Sequence, residues 1–232
     1  MRSFLKRKEI HGNQTAGAIL LHMLIAAVSL FANGFGVYLT MHAGIGAGPW
    51  DVLNLGLSGT FGILYGTASI AVSVTILFID ILLKEPIGIA MFIDSVVVGK
   101  SVDFFNHIDI IPECHSLGAS VVMMLIGLTI MGYTQYTYMI ASLGCGPRDT
   151  LLVGLSKRMR KVPIGVISIG LLSLATLIGW LLGGPVGLGT LICAFGAGPI
   201  MQFAFRTVNF DAALVQHQPL SKSIKVFVNG HA

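Results

Sequence analysis

Charge is scarce in this chain. Asp, Glu, Lys and Arg together make up 10% of its 232 residues, whereas soluble domains carry about 25%. Three tracts contain none of these four residue types, and each is longer than the ~20 residues that a helix needs to cross a bilayer. The tracts are 10–50, 116–147 and 162–205. With 54% hydrophobic residues and a mean hydropathy of +0.85, the composition excludes a soluble domain and predicts an all-α polytopic membrane protein.

Sequence motifs of enzymes and of cofactor sites are also missing. The chain has no HExxH, no phosphate-binding GxxxxGK and no nucleophile beside a candidate base. We therefore expect no enzyme, no bound cofactor and no metal site. The three cysteines are scattered and odd in number, which excludes a disulfide framework. The net charge of +4 comes from short basic clusters, which suit a cytoplasmic membrane face better than a nucleic acid.

A peptide that occurs twice is the strongest positive signal. Gly-Ala-Gly-Pro-Trp-Asp at 46–51 returns as Gly-Cys-Gly-Pro-Arg-Asp at 144–149. A shift of 98 places aligns 42–58 with 140–156 at nine identities in seventeen, where ordinary composition predicts about one. After a slip of one residue the match resumes towards the end of each half. The two halves therefore derive from one unit of roughly a hundred residues.

Gly and Pro punctuation divides the apolar tracts into six predicted spans, three in each half. The predicted spans are 17–40, 66–83, 86–105, 117–140, 163–182 and 185–206. After the first span of each half, the repeated peptide begins as a Gly-rich strip, and Pro49 or Pro147 then starts a short helix. A helix from 147 to 158 rises about 17 Å, roughly half a bilayer, so we expect a re-entrant or interfacial half-helix. Pro86 and Pro185 suit the first turn of the helices that follow them.

Three spans in each half force the halves to lie upside down relative to each other. Equivalent loops test this arrangement, because the positive-inside rule gives opposite membrane faces different charges. The loop 157–161 is strongly basic while its equivalent, 59–63, is neutral, and Lys84 lies in a turn whose equivalent, 183–184, carries no charge. The alternative of eight full spans would make the halves parallel. We therefore predict inverted repeats with both termini cytoplasmic.

The predicted organisation has five segments. These are a basic cytoplasmic N-terminus at 1–16, repeat 1 at 17–105, an external loop at 106–116, repeat 2 at 117–206 and a cytoplasmic tail at 207–232. Within or beside the spans, Lys100 with Asp103 and Asp80 with Lys84 have the spacing of intrahelical ion pairs.

The Gly-rich strips and the helix starts behind them form the predicted ligand site. Bare backbone N–H groups and the partial positive charge of two half-helix N-termini favour a carboxylate, a phosphate or another small anion. Asp51 and Asp149 either cap their own half-helices or coordinate the ligand. The predicted substrate-binding residues are Gly46, Gly48, Trp50, Asp51, Asn54, Gly144, Gly146, Arg148 and Asp149.

Trp50 and Arg148 occupy equivalent positions and are where the repeated motif differs. Arg148 has three interpretations: an ion pair with Asp149, snorkelling towards the cytoplasm, or a contact with the ligand. Trp50 is either an interfacial anchor or a stacking contact. The sequence leaves these alternatives open.

A carboxylate also falls within the third predicted span. Asp94 has Cys193 as its counterpart in the second half. An ionisable group at membrane depth is costly and is a functional candidate by default, so we predict that Asp94 couples an ion or a proton to any transport cycle. The segment 134–137, Thr-Gln-Tyr-Thr, either lines a cavity or makes hydrogen bonds between helices.

The paired motifs resemble those of a known family. Three stretches are similar to the YczE branch of the YczE/YyaS/YitT membrane proteins: the motif at 46–58, its echo at 144–158, and Trp-Leu-Leu-Gly-Gly-Pro-Val-Gly-Leu-Gly-Thr at 180–190 with Gly-Ala-Gly-Pro at 196–199. The resemblance covers residues 20–206 and implies a bacterial integral membrane protein. Because that family has no established substrate, the resemblance transfers no functional residue.

Inverted repeats with broken helices are a common plan of secondary transporters. The sequence therefore favours a small-solute transporter, with anionic metabolites among its candidate substrates. Two alternatives stay open: a subunit that captures a substrate for a separate energising partner, and an accessory or scaffold protein of a membrane-associated biosynthetic system. Membrane lipid and a small molecule are the expected partners, a homodimer or an energising subunit are further candidates, and no nucleic acid is expected.

Overall fold

The computed structural model describes residues 16–112, 114 and 116–210, which fold into eight α-helices without a β-strand. In chain order the helices are α1 (Ala16–His42), α2 (Pro49–Phe61), α3 (Tyr65–Leu82), α4 (Ile89–Ile108), α5 (Leu117–Ile140), α6 (Pro147–Arg158), α7 (Ile164–Leu181) and α8 (Leu188–Thr207). The all-α prediction is confirmed for this part of the chain. The basic N-terminus before Ala16, two residues of the predicted external loop and the tail beyond residue 210 lie outside the described residues.

Six long helices lie where the spans were expected, and the two short helices begin at the expected prolines, Pro49 and Pro147. α2 has 13 residues and α6 has 12. At 1.5 Å per residue they are ~20 Å and ~18 Å long, well short of the ~30 Å hydrocarbon core of a bilayer. Neither short helix can therefore cross a membrane by itself.

The prediction that Pro86 and Pro185 open the next helices is wrong. α4 and α8 each begin three residues after the proline, and the residues before them are extended. Both regions are held by the Gly-rich strip of the other half: Ala47 N donates to Pro185 O (3.2 Å) before α8, and Ala90 N in the first turn of α4 donates to Leu143 O (3.2 Å). Hydrogen bonds between the halves therefore delay the start of both helices.

Five helices are long and apolar enough to cross a membrane, judged by length and composition: α1, α3, α5, α7 and α8. α4 has 20 residues but carries Asp94, Lys100 and Asp103. Large apolar side chains are exposed on the outer surface of the bundle; Phe195 is 73% exposed and Leu181 is 71% exposed. Such apolar surface suits lipid better than water.

Contacts between the first half (α1–α4) and the second half (α5–α8) occur in matched pairs. A Cβ atom added at Gly46 would lie 2.6 Å from Gly187 N, and one added at Gly144 would lie 2.9 Å from Gly88 Cα. In the repeat, Gly46 corresponds to Gly144 and Gly88 corresponds to Gly187. The second contact is therefore the first one with the two halves interchanged, which is the relation that a two-fold axis produces.

Hydrogen bonds follow the same exchange. Thr60 Oγ1 donates to Leu182 O at 2.9 Å. The equivalent residues are Arg158 and Leu83, and there the Arg158 guanidinium donates to the Leu83 carbonyl oxygen. α1 packs along α5 at the centre of this arrangement. The repeat in the sequence is thus also a repeat in the packing.

The two equivalent junctions differ in chemistry. Where α2 packs on α7, Gly56 lies directly against Gly179. Where α6 packs on α3, the side chain of Glu85 binds two cations: Lys157 Nζ lies 2.6 Å from Glu85 Oε2, and Arg158 Nη1 lies 3.0 Å from Glu85 Oε1. One junction is therefore close-packed and the other is ionic.

Of the two predicted intrahelical ion pairs, one is formed. Lys100 Nζ lies 4.0 Å from Asp103 Oδ2. The prediction that Asp80 pairs with Lys84 is wrong, because α3 ends at Leu82 and Lys84 has a left-handed backbone with φ 55°. The helical spacing of four residues is lost there, and the buried Asp80 carboxylate has no hydrogen-bond partner among the described residues.

Glu85 makes the ionic junction sensitive to acid. Hydrogen bonds from Lys157 and then Arg158 hold the pKa of Glu85 below its ordinary value of 4.5, although burial opposes this. A lowered pKa stabilises the folded state above the unfolded-state pKa, and this stability is lost as the pH falls through the folded-state pKa. We therefore expect Glu85→Gln to lower the free energy of unfolding by about 1–2 kcal/mol at pH 7.

The loss of stability caused by Glu85→Gln should disappear in acid, where Glu85 of the native chain is protonated. Thermal unfolding in detergent between pH 3.5 and pH 8 is the measurement, with Lys161→Gln, which removes an exposed charge from the same loop, as the control. The difference between Glu85→Gln and the native chain should shrink below about pH 4.5. A difference that stays constant over this range would show that the ion pairs do not stabilise the junction.

Candidate functional site

A cavity of about 450 Å³ lies between the two halves and is lined by residues of all eight helices. Its volume is within the range of about 300–1,000 Å³ that is usual for small-molecule sites. The N-terminal turns of α2 and α6 both reach it. The predicted site residues that line it are Gly48, Trp50, Asp51, Asp94, Gly146, Arg148 and Asp149.

Trp50 and Arg148, the pair that differs between the repeats, meet in this cavity. Arg148 Cζ lies 5.2 Å from the centroid of the Trp50 ring, which is close enough for a cation–π interaction. No carboxylate of the described residues lies within ion-pair distance of Arg148. The ion pair with Asp149, one of the three interpretations of Arg148, is therefore not formed among the described residues, and the Trp50 ring contacts the guanidinium instead.

Asp51 is buried in the first turn of α2 and is held by α3. Tyr65 Oη donates to Asp51 Oδ1 at 2.7 Å, and Asn54 Nδ2 donates to Tyr65 Oη at 3.2 Å. The N-cap residues of α2 and α6 are Gly48 and Gly146, which have no capping side chain. Among the described residues the Asp51 carboxylate accepts its hydrogen bond from Tyr65 and not from the first turn of its own helix.

Carboxylates also lie against the N-termini of both half-helices. A Cβ added at Gly146 would lie 2.9 Å from Asp94 Oδ2, and one added at Gly48 would lie 2.8 Å from Asp51 Oδ2 and 3.9 Å from Cys193 Cβ. Asp94 and its counterpart Cys193 thus occupy equivalent places, each against the N-cap glycine of a half-helix. The partial positive charge of a helix start stabilises a carboxylate in such a place.

Asp149 and Tyr138 add two polar groups to the same wall. The side chain of Asp149 is exposed where it lines the cavity, and electrostatic interactions link it to Asp94 and Arg148. Tyr138 is 3% exposed and lines the cavity, and its hydroxyl has no hydrogen-bond partner among the described residues. Because an unpaired buried polar group costs about 1–3 kcal/mol, this hydroxyl is a position where a ligand can form a hydrogen bond.

Three predicted site residues lie outside the cavity lining. Gly46 and Gly144 have φ angles of 103° and 125°, which favour glycine, and both pack against the other half as described above. Asn54 is fully buried and reaches the site only through Tyr65. Gly46 and Gly144 therefore hold the two halves together, whereas Gly48 and Gly146 of the same strips line the cavity.

Polar residues that the sequence did not single out also line the cavity. Ser69 and Ser168 both line it, and they occupy equivalent positions in the two halves. Comparing the halves residue by residue could have found this pair. Tyr65 had no such signal, because its equivalent in the second half is the exposed Ile164.

Both interpretations of segment 134–137 are realised by different residues. Asn33 Nδ2 donates to Thr134 Oγ1 at 3.0 Å, which links α1 to α5. Gln135 lines the cavity. Thr134 therefore ties α5 to α1, and the next residue of α5, Gln135, places its amide in the cavity.

Alanine at Gly146 should displace Asp94 without unfolding the protein. The Gly146 backbone, at φ −65° and ψ 162°, is open to alanine, and the added Cβ would meet the end of a flexible side chain at Asp94 Oδ2. We expect Gly146→Ala to change the free energy of unfolding by less than about 1 kcal/mol but to abolish stabilisation by any cavity ligand.

Gly170→Ala on α7 is the matched control for Gly146→Ala, because an added Cβ there meets no described atom within 4 Å. Thermal unfolding of both variants with and without ligand is the measurement. If Gly146→Ala is not stably folded in the absence of ligand, the Asp94 side chain cannot move aside and its role is structural.

Residues 20–206 match DUF6198, a family of unknown function. The chain belongs to this family. It is 30% identical over 208 residues to an uncharacterized protein of Haemophilus influenzae, covering 90% of this chain and 91% of that protein. The uncharacterized membrane protein YczE of Bacillus subtilis is 28% identical over 80% of this chain and 86% of its own length. The uncharacterized protein YyaS of Bacillus subtilis is 27% identical over 75% of this chain and 87% of its own length.

The predicted resemblance to the YczE branch is thus confirmed. This DUF6198 member is a membrane protein, because a relative along most of its length is described as one and five helices are long and apolar enough to cross a bilayer. No solved structure matches the chain.

Proposed function

We propose that this DUF6198 protein is a small-solute transporter of the bacterial cytoplasmic membrane, built from two inverted repeats with both termini cytoplasmic. Its ligand site is the cavity where the N-termini of the half-helices α2 and α6 meet. Support comes from the matched contacts between the halves, from two helices too short to span, and from the polar cavity between them. Binding and passage of a solute require no chemical step, so the proposal includes no enzymatic activity.

A difference between two equivalent helix pairs carries the proposal. α3 packs along α4 at Gly66 and Gly99, where a Cβ added at Gly99 would lie 2.9 Å from Gly66 O. With the 99-residue offset that relates the later parts of the halves, these glycines correspond to Gly165 of α7 and Gly198 of α8. A Cβ at either position would meet no described atom within 4 Å. One helix pair is therefore closed while its equivalent is open.

Two related halves in different arrangements can exchange those arrangements. In the exchanged state, α7 would close on α8 through Gly165 and Gly198, and α3 would separate from α4. Ser168 and Gly198 line the cavity, so closing α7 on α8 would shut the cavity on that side. Access to a fixed central site would then alternate, as in known transporters with inverted repeats. In the predicted topology Gly165 lies at the cytoplasmic end of α7, so the described state opens towards the cytoplasm.

Distances between spin labels at equivalent positions test this exchange. Thr67 and Val96 report on the closed pair, and the equivalent residues Val166 and Phe195 report on the open pair; all four are exposed. Each pair is changed to cysteines in a chain whose native cysteines are replaced, labelled, and reconstituted in lipid. We expect two populations for each pair and reciprocal changes, so that a condition that shortens 166–195 lengthens 67–96.

The contradicting result is one fixed arrangement. If 67–96 stays short and 166–195 stays long at every pH and with every solute tested, the helices do not exchange. That outcome would favour the accessory or scaffold alternative. Exchange that occurs only when a second protein is added would favour the subunit that captures a substrate for an energising partner.

A further inference from the structure

The titratable groups of the cavity favour positive charge on the ligand. Three carboxylic acids line it, Asp51, Asp94 and Asp149, and Arg148 is the one lysine, arginine or histidine among the described lining residues. An anion without a cationic group would add a further negative charge to this set. Burial in a medium of low dielectric makes such like-charge contacts expensive.

The helix starts that favour an anion are already next to carboxylates of the chain. Asp51 lies against Gly48 at the start of α2, and Asp94 lies against Gly146 at the start of α6. Asp51 also accepts the hydrogen bond from Tyr65. The positive ends of both half-helices are thereby compensated without a bound anion.

Two carboxylates and one guanidinium remain with unused bonding capacity. No hydrogen bond or ion pair joins Asp94, Asp149 or Arg148 to another described side chain, and the buried Tyr138 hydroxyl beside them has no partner there either. The ring of Trp50 covers one face of the guanidinium, which leaves the N–H groups at its edge to donate hydrogen bonds.

We infer that the cavity binds a small zwitterion of the amino-acid type. Its ammonium group contacts the carboxylates of Asp94 and Asp149 and the hydroxyl of Tyr138, and its carboxylate accepts hydrogen bonds from Arg148. The negative and the positive groups of the cavity then each meet an opposite charge of the ligand, which a purely anionic or purely cationic solute does not achieve. This inference rests on the proposed function, because it treats the cavity as the transporter's ligand site.

Matched derivatives of one ligand test the inference. Purified protein in detergent is titrated calorimetrically with the twenty standard amino acids. Each amino acid that binds is then compared with its methyl ester, which keeps only the ammonium group, and with its N-acetyl form, which keeps only the carboxylate. We expect at least one amino acid to bind and both derivatives to bind about 100-fold more weakly, because each leaves a charged group of the cavity without its partner.

Two variants assign the two ends of the ligand. Asp94→Asn should reduce the preference over the N-acetyl form, and Arg148→Gln should reduce the preference over the methyl ester, each by about 10-fold or more. Asp109→Asn is the control, because Asp109 is exposed beside His42 and lies outside the cavity lining. If a variant fails to fold, the derivative series on the native protein decides alone.

Two results would overturn the inference: no binding by any amino acid, or an N-acetyl form or methyl ester that binds as tightly as its parent. Transport is measured separately, as uptake of the same radiolabelled amino acid into proteoliposomes. Tight binding of the zwitterion without uptake would reject the transporter and keep the ligand class. Uptake of anions alone would reject the ligand class and keep the transporter.

Discussion

Replacing Gly187 by alanine is expected to prevent stable folding. The Gly187 backbone at φ −168° is open to any residue, so the cost comes from space alone. An added Cβ would lie 2.5 Å from Ile45 O and 3.1 Å from Ile45 C, and a backbone cannot turn away as a side chain can. To relieve this clash, the Gly-rich strip that contains Ile45 would have to move away from the start of α8, which would break the hydrogen bond from Gly189 N to Ile45 O (2.7 Å). We expect a loss of about 3 kcal/mol or more.

The repeat supplies a matched partner for this test. Gly88→Ala should be as harmful as Gly187→Ala, because its Cβ would lie 2.8 Å from Gly144 Cα. Gly170→Ala should change little, since its surroundings are open. The yield in the membrane fraction and the unfolding temperature in detergent measure all three. If Gly187→Ala accumulates and melts like the native chain, the halves are not joined through these glycines.

Phenylalanine at Tyr65 is expected to have the next largest effect. Removing its hydroxyl leaves Asp51 Oδ1 without its 2.7 Å donor and Asn54 Nδ2 without its 3.2 Å acceptor. Asp51 and Asn54 are buried, at 8% and 0% exposure. Because each buried polar group left unpaired costs about 1–3 kcal/mol, we expect Tyr65→Phe to lower the free energy of unfolding by about 2–4 kcal/mol.

Tyr133→Phe is the control for this variant, because it removes a hydroxyl that meets Thr207 Oγ1 at 3.0 Å on an exposed surface. We expect it to cost less than about 0.5 kcal/mol. Asp51→Asn combined with Tyr65→Phe should cost less than the sum of the two changes, since they act on one network. Thermal unfolding of the native chain, the three single variants and the double variant gives these differences, and strict additivity would contradict the Tyr65–Asp51 hydrogen bond.

Local signals in the sequence were sufficient to place the helices. Apolar tracts and glycine or proline boundaries predicted six long helices, and Pro49 and Pro147 predicted the starts of the short ones. The difference between Trp50 and Arg148 also pointed to the cavity. The two motifs keep the same helix start but differ at this position, which indicates that the halves have different roles there.

Contacts between distant parts of the chain could not be predicted in this way. Pro86 and Pro185 do not start helices because the segments around them bind the Gly-rich strip of the other half. Gly46 is conformationally suited to a ligand strip, yet it packs on Gly187. Tyr65 reaches Asp51 because α3 folds back on α2, and no residue pattern records that approach. In each case the deciding partner lies on another element of the fold.

Labelling near the C-terminal ends of the two half-helices, α2 and α6, tests the central claim, that the halves lie upside down around the cavity. Single cysteines at Gly59 and at Ser156 are placed in a chain without Cys114, Cys145 and Cys193. A membrane-impermeant thiol reagent is then applied to right-side-out and inside-out vesicles. If the halves are inverted, the cysteine at 59 reacts only from outside and the one at 156 only from inside. Reaction of both from the same side would contradict the inverted arrangement and the alternating access that depends on it.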